Sequence, residues 1–255
     1  MLKKRIVIKV GSNVLTRENG KLDITRLSSL VDQIAWLRQK NYEVILVTSG
    51  AVASGRGELK TNHQLDSVEQ RQLFSAVGQV KLINLYYDLF REFGIHVGQV
   101  LTMKSNFETE REAENQRACM EVMLENEVLP IVNENDTVCV TELMFTDNDE
   151  LSGLIATMMG AKTLVILSNI DGIYNGNPSD PASSVIRKVN PNDDISQYIS
   201  TEKSGLGRGG MTSKCNIALK VAKAGIKVII ANGTTENILV KLAENPEETV
   251  HTEFS

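Results

Sequence analysis

Four short apolar runs, each closed by a cluster of small or polar residues, set the strongest constraint on what this chain can fold into. Ile6–Val10 runs into Gly11-Ser12, and Glu43–Val47 into Thr48-Ser49-Gly50-Ala51. Val128–Val132 runs into Asn133-Glu134-Asn135-Asp136, and Leu164–Leu167 into Ser168-Asn169-Ile170-Asp171-Gly172. Such runs, rich in β-branched residues and bounded by turn formers, read as buried strands. Helical periodicity separates them, so the chain is expected to build βαβ units, an α/β fold with parallel strands. Ligands of open parallel sheets bind outside the carboxyl ends of the strands. All four polar clusters are expected at that one edge.

The intervening patterns fill in the elements. Leu27, Leu30, Val31, Ile34 and Leu37 form one apolar helix face, with Asp23 or Thr25 as N-cap. Gly55-Arg56-Gly57 is expected to break the next segment, and 67–93 to form a long helix interrupted by Gly78, which would let another backbone approach closely. Residues 96–101 read as a strand and 107–126 as a charged helix with a solvated face. Val138–Phe145 is strand-like, and Thr146 or Asp147 is expected to cap a helix over 150–159. Residues 175–194 read as a surface excursion, 211–224 as a helix, 227–231 as the last strand, and the remainder as a short helix with a frayed end. No repeat or long linker divides the 255 residues, so one domain is expected over 1–255.

Lys9 stands inside the first apolar run. A lysine in a buried strand costs desolvation free energy unless an anion pairs with it. Gly11 follows it and permits close backbone approach. The plainer reading is an edge-strand lysine reaching for solvent. A second glycine feature, Gly205 to Gly210, leads into a helix beginning at Met211 with Lys214 in its first turn. Exposed N–H groups and the helix dipole there suit an anion. The spacing is not that of a P-loop, since no Gly-Lys-Ser/Thr occurs, and no strand precedes it as in a dinucleotide fingerprint. Asp147-Asn148-Asp149 offers two carboxylates and an amide, or simply a capped helix. Lys9, Lys214 and Asp149 together would suit phosphoryl transfer, which depends on positioning and charge stabilisation.

Composition narrows the alternatives. A net charge of -5, with no basic stripe, argues against nucleic acid as partner. No apolar run nears the about 18 residues of a membrane span, and the basic start, Met1 to Arg5, leads into too short an apolar run for a signal peptide. Three scattered cysteines read as reduced cytoplasmic thiols, and three histidines show no metal-ligand spacing.

Lys9-Val10-Gly11-Ser12, Thr48-Ser49-Gly50-Ala51, Asn133 to Asp136, Asp147-Asn148-Asp149 and Gly209-Gly210-Met211-Thr212-Ser213-Lys214 occur in an order and spacing that resembles the amino acid kinase family across essentially the whole chain. The resemblance is strongest to the branch that acts on glutamate. It implies a three-layer αβα sandwich with a mainly parallel central sheet, about 1–160 binding the amino acid and about 161–255 binding ATP. It implies phosphorylation of the γ-carboxylate of L-glutamate by MgATP, in the first step of proline biosynthesis. The catalytic set would be Lys9, Lys214 and Asp149. Ser49, Gly50, Asn133, Asp136 and Asn148 would hold the amino acid. Lys9, Gly11, Ser168, Asn169, Arg208, Gly209, Gly210, Met211 and Lys214 would contact ATP, and Mg²⁺ would be held mainly by ATP, without protein side chains. The resemblance also implies a homo-oligomer, feedback by proline and a functional link to glutamate-5-semialdehyde dehydrogenase. The chain departs from the family at Asn169, usually Asp, and at Arg208, usually Thr. It is expected to be a form without the C-terminal PUA domain. An N-acetylglutamate kinase, or a non-catalytic sensor on the same fold, are the competing readings.

Overall fold

In the computed structural model, residues 4–61, 63–139, 145, 147–193 and 210–255 are described. Strand β1 (Lys4–Val10) is followed by a one-turn helix α1 (Ser12–Leu15), α2 (Ile24–Gln39) and β2 (Tyr42–Val47). Then come α3 (Ala51–Glu58), α4 (Ser67–Arg91), β3 (Val97–Thr102), α5 (Glu110–Glu125) and β4 (Leu129–Glu134). The second half holds α6 (Asn148–Met158), β5 (Thr163–Ser168), β6 (Lys188–Val189), α7 (Met211–Lys223), β7 (Lys227–Asn232), α8 (Ile238–Glu244) and β8 (Thr252–Phe254).

The strands form one sheet in the order β3-β4-β2-β1-β5-β7-β8-β6. From β3 to β7 every neighbouring pair is parallel. Only β8 runs against its neighbour β7. Strands β2 to β4 lie on one side of β1 and β5 to β8 on the other. The chain reverses its direction of travel at β1, so the crevice expected at a topological switch opens where β1 ends.

Alternation along β1 sorts its side chains between two cores. Ile6, Ile8 and Val10 pack with α2, α4 and α8 through residues such as Leu30, Tyr86 and Leu239. Val7 points to the opposite face, against α5, α6 and α7 through Met120, Ile155 and Ala218. Helices therefore cover both faces of the sheet, and the sandwich has the three layers expected. Lys9 shares the parity of Val7, so its side chain is directed toward the layer containing α6 and α7.

Several local expectations are corrected. Gly55-Arg56-Gly57 does not break the chain: it lies inside α3. A Cβ on Gly55 would sit 1.9 Å from the Phe74 carbonyl oxygen, and one on Gly78 would sit 1.8 Å from the Ala51 carbonyl oxygen. The glycines let α3 and α4 touch backbone to backbone, as expected for Gly78. Asp23, and not Thr25, caps α2 by accepting from the Arg26 N–H at 3.2 Å. Val138 and Cys139 belong to a turn on the Asn135 carbonyl; the rest of that expected strand up to 144, and Thr146, lie outside the described residues. Asp147 caps α6. Within the 175–194 excursion, described as far as 193, lies β6, and Val185 bridges back to Tyr174 just before it. The expected frayed end instead forms β8, anchored by fully buried Phe254.

The α3–α4 contact gives a direct test. Gly78→Ala should lower stability by about 1–3 kcal/mol, since the methyl group meets fixed backbone. Urea denaturation measures this, and an unchanged midpoint with unchanged slope would contradict the close approach.

Candidate active site

The carboxyl edge of the sheet opens into a cleft of about 400 Å³. Lys9, Gly11, Ser49, Gly50, Asn133, Asp136, Asn148, Asp149, Ser168 and Lys214 all line it. Residues from both halves of the sequence thus meet in one place. Asn169, Gly210 and Met211 are not among the lining residues; Asn169 is exposed beside Ser168, and Gly210 and Met211 open α7. Arg208 and Gly209 lie outside the described residues.

Asp149 is the centre of the cleft's charge. It stands in the first turn of α6 and is fully buried. Its Oδ1 lies 2.6 Å from Lys9 Nζ, and its Oδ2 accepts a hydrogen bond from Lys214 Nζ at 2.9 Å. The Oδ1 contact is an ion pair without well-aligned hydrogen-bond geometry. Burial by itself would push the Asp149 carboxyl up; the two ammonium groups overcome it and hold the group down at about 2. One ionised carboxylate therefore fixes two cations from β1 and α7. Gly11 contributes by lacking a side chain: a Cβ there would lie 3.3 Å from Lys9 Nζ.

Asp147 ties the two helix starts together. Its Oδ1 accepts the N–H groups of Asp149 and Glu150 at 2.9 and 3.1 Å, and its Oδ2 accepts from Ser213 Oγ at 2.9 Å. Burial first, then the Asp149 charge, raises its pKa above the ordinary carboxylate value. The pair pushes in opposite directions because only Asp149 has both lysines directly on its oxygens.

At the other end of the cleft, Asn148 acts as a strut. Its Nδ2 donates toward the Thr48 carbonyl at 2.8 Å, Ser49 Oγ at 2.8 Å and Asn133 Oδ1 at 3.1 Å. Gly50 caps α3 at φ 101°, a left-handed conformation that favours glycine. This turns the chain from β2 into α3 beside the strut. Behind this wall stands α4, whose side chains reach it at several points. Arg71 donates to Asp136 Oδ1 from Nε at 2.7 Å and to Glu134 Oε2 from Nη2 at 3.0 Å. Asn133 Nδ2 donates to Gln79 Oε1 at 2.9 Å. Tyr86 and Thr48 share a buried hydroxyl contact at 2.8 Å.

Arg71, Gln79 and Tyr86 are absent from the expected site. No local motif marks them, because they belong to the apolar-periodic helix α4. Ser213 is part of a recognised motif, but nothing in its spacing pointed to Asp147.

Among the described residues no cluster of three His, Cys, Asp or Glu side chains could hold a metal ion. Both oxygens of Asp149 face lysines, and those of Asp147 face helix N–H groups and Ser213.

The buried ion triad predicts how stability depends on pH. Asp149→Asn removes the charge between two lysines and should cost about 3–5 kcal/mol at neutral pH. Because the Asp149 carboxyl is held below its ordinary 3.8, its stabilisation is complete above about pH 4 and fades as pH falls toward 2. The gap between wild type and variant should narrow over that window; a constant gap would show that the charge of Asp149 is not what stabilises.

Comparison with known proteins agrees with this geometry. The model of the amino acid kinase family matches residues 4–232. Glutamate 5-kinase of Bacteroides thetaiotaomicron is 66% identical over 250 residues, covering 98% of this chain and 69% of that one. Glutamate 5-kinase of Chlorobaculum tepidum is 51% identical over 245 residues, covering 94% of this chain and 66% of that one. The chain thus spans about two thirds of the length of these curated relatives. Among solved structures, carbamate kinase from Giardia lamblia bound to AMP-PNP superposes with a TM-score of 0.72 at 15% identity, over 99% of this chain and 98% of that one. UMP kinase from Ureaplasma parvum gives 0.67 at 19%, over the full length of both. These distant structures share the fold; the sequence relatives carry the closer kinship. The chain belongs to the amino acid kinase family, on its glutamate 5-kinase branch.

Proposed function

We propose that the chain transfers the γ-phosphoryl group of ATP to the γ-carboxylate of L-glutamate, giving L-glutamyl 5-phosphate, the opening step of proline biosynthesis. One observation carries the reading: a buried carboxylate, Asp149, holds two lysine ammonium groups from opposite halves of the sheet at the strand carboxyl edge. A binding protein has no need of paired cations fixed in this way. A phosphoryl transferase does, because negative charge on the transferring group must be stabilised as it moves. The curated relatives named glutamate 5-kinase supply the substrate.

In this reading one γ-carboxylate oxygen of glutamate attacks the γ-phosphorus. A P–O bond forms to that oxygen, the bond from phosphorus to the bridging β–γ oxygen breaks, and ADP leaves with that electron pair. The acceptor is ionised at neutral pH, so no general base is required. Lys9 and Lys214 are the catalytic residues, and Asp149 is the residue that positions them. Ser49, Gly50, Asn133, Asp136 and Asn148 hold the amino acid; Gly11, Ser168, Asn169 and the start of α7 face the nucleotide. Arg208 and Gly209 join that nucleotide set on the strength of the resemblance alone. Mg²⁺ arrives with ATP and adds charge neutralisation on the phosphates.

The unbroken eight-stranded sheet supports one domain, with about 1–160 taking the amino acid and about 161–255 taking ATP. The free thiols of Cys119 and Cys215 support a cytoplasmic setting. The labile acyl phosphate product supports a link to the dehydrogenase that consumes it.

The test is glutamate-dependent ADP release, with hydroxylamine trapping the acyl phosphate as a hydroxamate. Activity on aspartate, carbamate or UMP, and none on glutamate, would replace this reading with another kinase of the family. Lys9→Ala and Lys214→Ala should each lower kcat by about 10²–10³, the effect of losing one transition-state donor. Near-normal turnover in both folded variants would remove the catalytic roles given to these lysines.

A further inference from the structure

Glu134 and Asp136 both line the cleft, and both are nearly buried. Two carboxylates so close together repel. Arg71 answers that repulsion. It comes from α4, is itself largely buried, and is not among the cleft-lining residues, so it reaches the carboxylates from behind. Its Nε and Nη2 both converge on Asp136 Oδ1, while Nη2 also bridges to Glu134 Oε2. Glu134 is pinned a second time, its Oε1 accepting the Phe145 N–H at 3.0 Å. A guanidinium stays protonated throughout any working range. The formal sum for the three side chains is one negative charge, displayed on the cleft wall.

We propose that Arg71 is a specificity-determining positioning residue: it holds Asp136 and Glu134 as a pair carrying a single net negative charge, matched to the one positive charge of a substrate α-ammonium group. This rests on glutamate being the acceptor and adds to it the reason that a free amino group is required. An N-acylated substrate brings no charge to meet the second of the two carboxylates that the single charge of Arg71 offsets, a penalty of the kind that gives strong discrimination. The amine end of the cleft, at Arg71, Glu134 and Asp136, is then distinct from the end where Asp149 holds Lys9 and Lys214 for the reacting carboxylate.

Charge balance makes a prediction that simple packing does not. Arg71→Met should raise the KM for glutamate by about tenfold or more, the loss of a charged hydrogen bond, with kcat and the KM for ATP near wild type. Glu134→Gln, which leaves a neutral pair, should also raise the KM for glutamate. The double variant restores a single negative charge and should have a KM below that of either single variant. Arg71→Lys should fall between wild type and Arg71→Met. A KM for glutamate unchanged in Arg71→Met overturns the proposal, and so does a double variant whose defect equals the product of the two single defects. If Arg71→Met does not fold, the proposal still requires that the double variant fold and bind glutamate better than Glu134→Gln; failure of either overturns it. A wild-type protein that releases no ADP with glutamate would remove the substrate assignment instead, separately from the role of Arg71.

Discussion

A carboxylate with no exposure to water, bound on each oxygen by a different lysine, is the interaction on which the rest of this molecule depends. None of its three members is stable in place alone. Lys9 is nearly buried within a strand, and Asp149 is fully buried in the first turn of a helix. Unpaired, either would meet a desolvation penalty of several kcal/mol. Lys214 arrives from a helix some two hundred residues later in sequence. The central strand, α6 and α7 must therefore dock in one arrangement for the charges to be compensated. Folding and the proposed chemistry make the same demand on the same three residues.

Much of this was legible in the sequence because it follows from short-range rules. The Ile6–Val10 run alternates in space, so the side of the sheet facing Lys9 follows from that facing Val7. The four polar clusters were recognisable as strand ends because each directly follows an apolar run. Parallel pairing followed from the helices between them. The grouping of Asp149 with the two lysines was an expectation from the chemistry of phosphoryl transfer, reinforced by the family resemblance, and the structure supplies its geometry and its charge state.

What escaped notice depended on tertiary contact. Gly55 and Gly57 resemble a helix break in isolation; inside α3 the first has a use, because Gly55 presses against the backbone of α4 at Phe74. Thr252–Phe254 is too short to show any period, and it becomes a strand only because β7 offers an edge and the core a place for Phe254. Arg71 lies more than sixty residues before the acids it binds. Within α4 it is one more charged residue on a long helix, and nothing local distinguishes it from a solvated one.

The contacts that Arg71, Gln79 and Tyr86 of α4 make with the cleft wall have a mechanical meaning. Arg71, Gln79 and Tyr86 are eight and seven residues apart, about 2.2 and 1.9 helical turns, so all three project within roughly 80° of one another from a single rod. Along its axis they span about 22 Å. A one-residue insertion between Arg71 and Gln79 would turn one contact by about 100° relative to the others. Substitution can change any of the three separately, but a change in length cannot. The helix works as a ruler laid behind the amino-acid end of the cleft, graduated in turns, and its length between these marks is part of the binding site although most of it never touches the cleft.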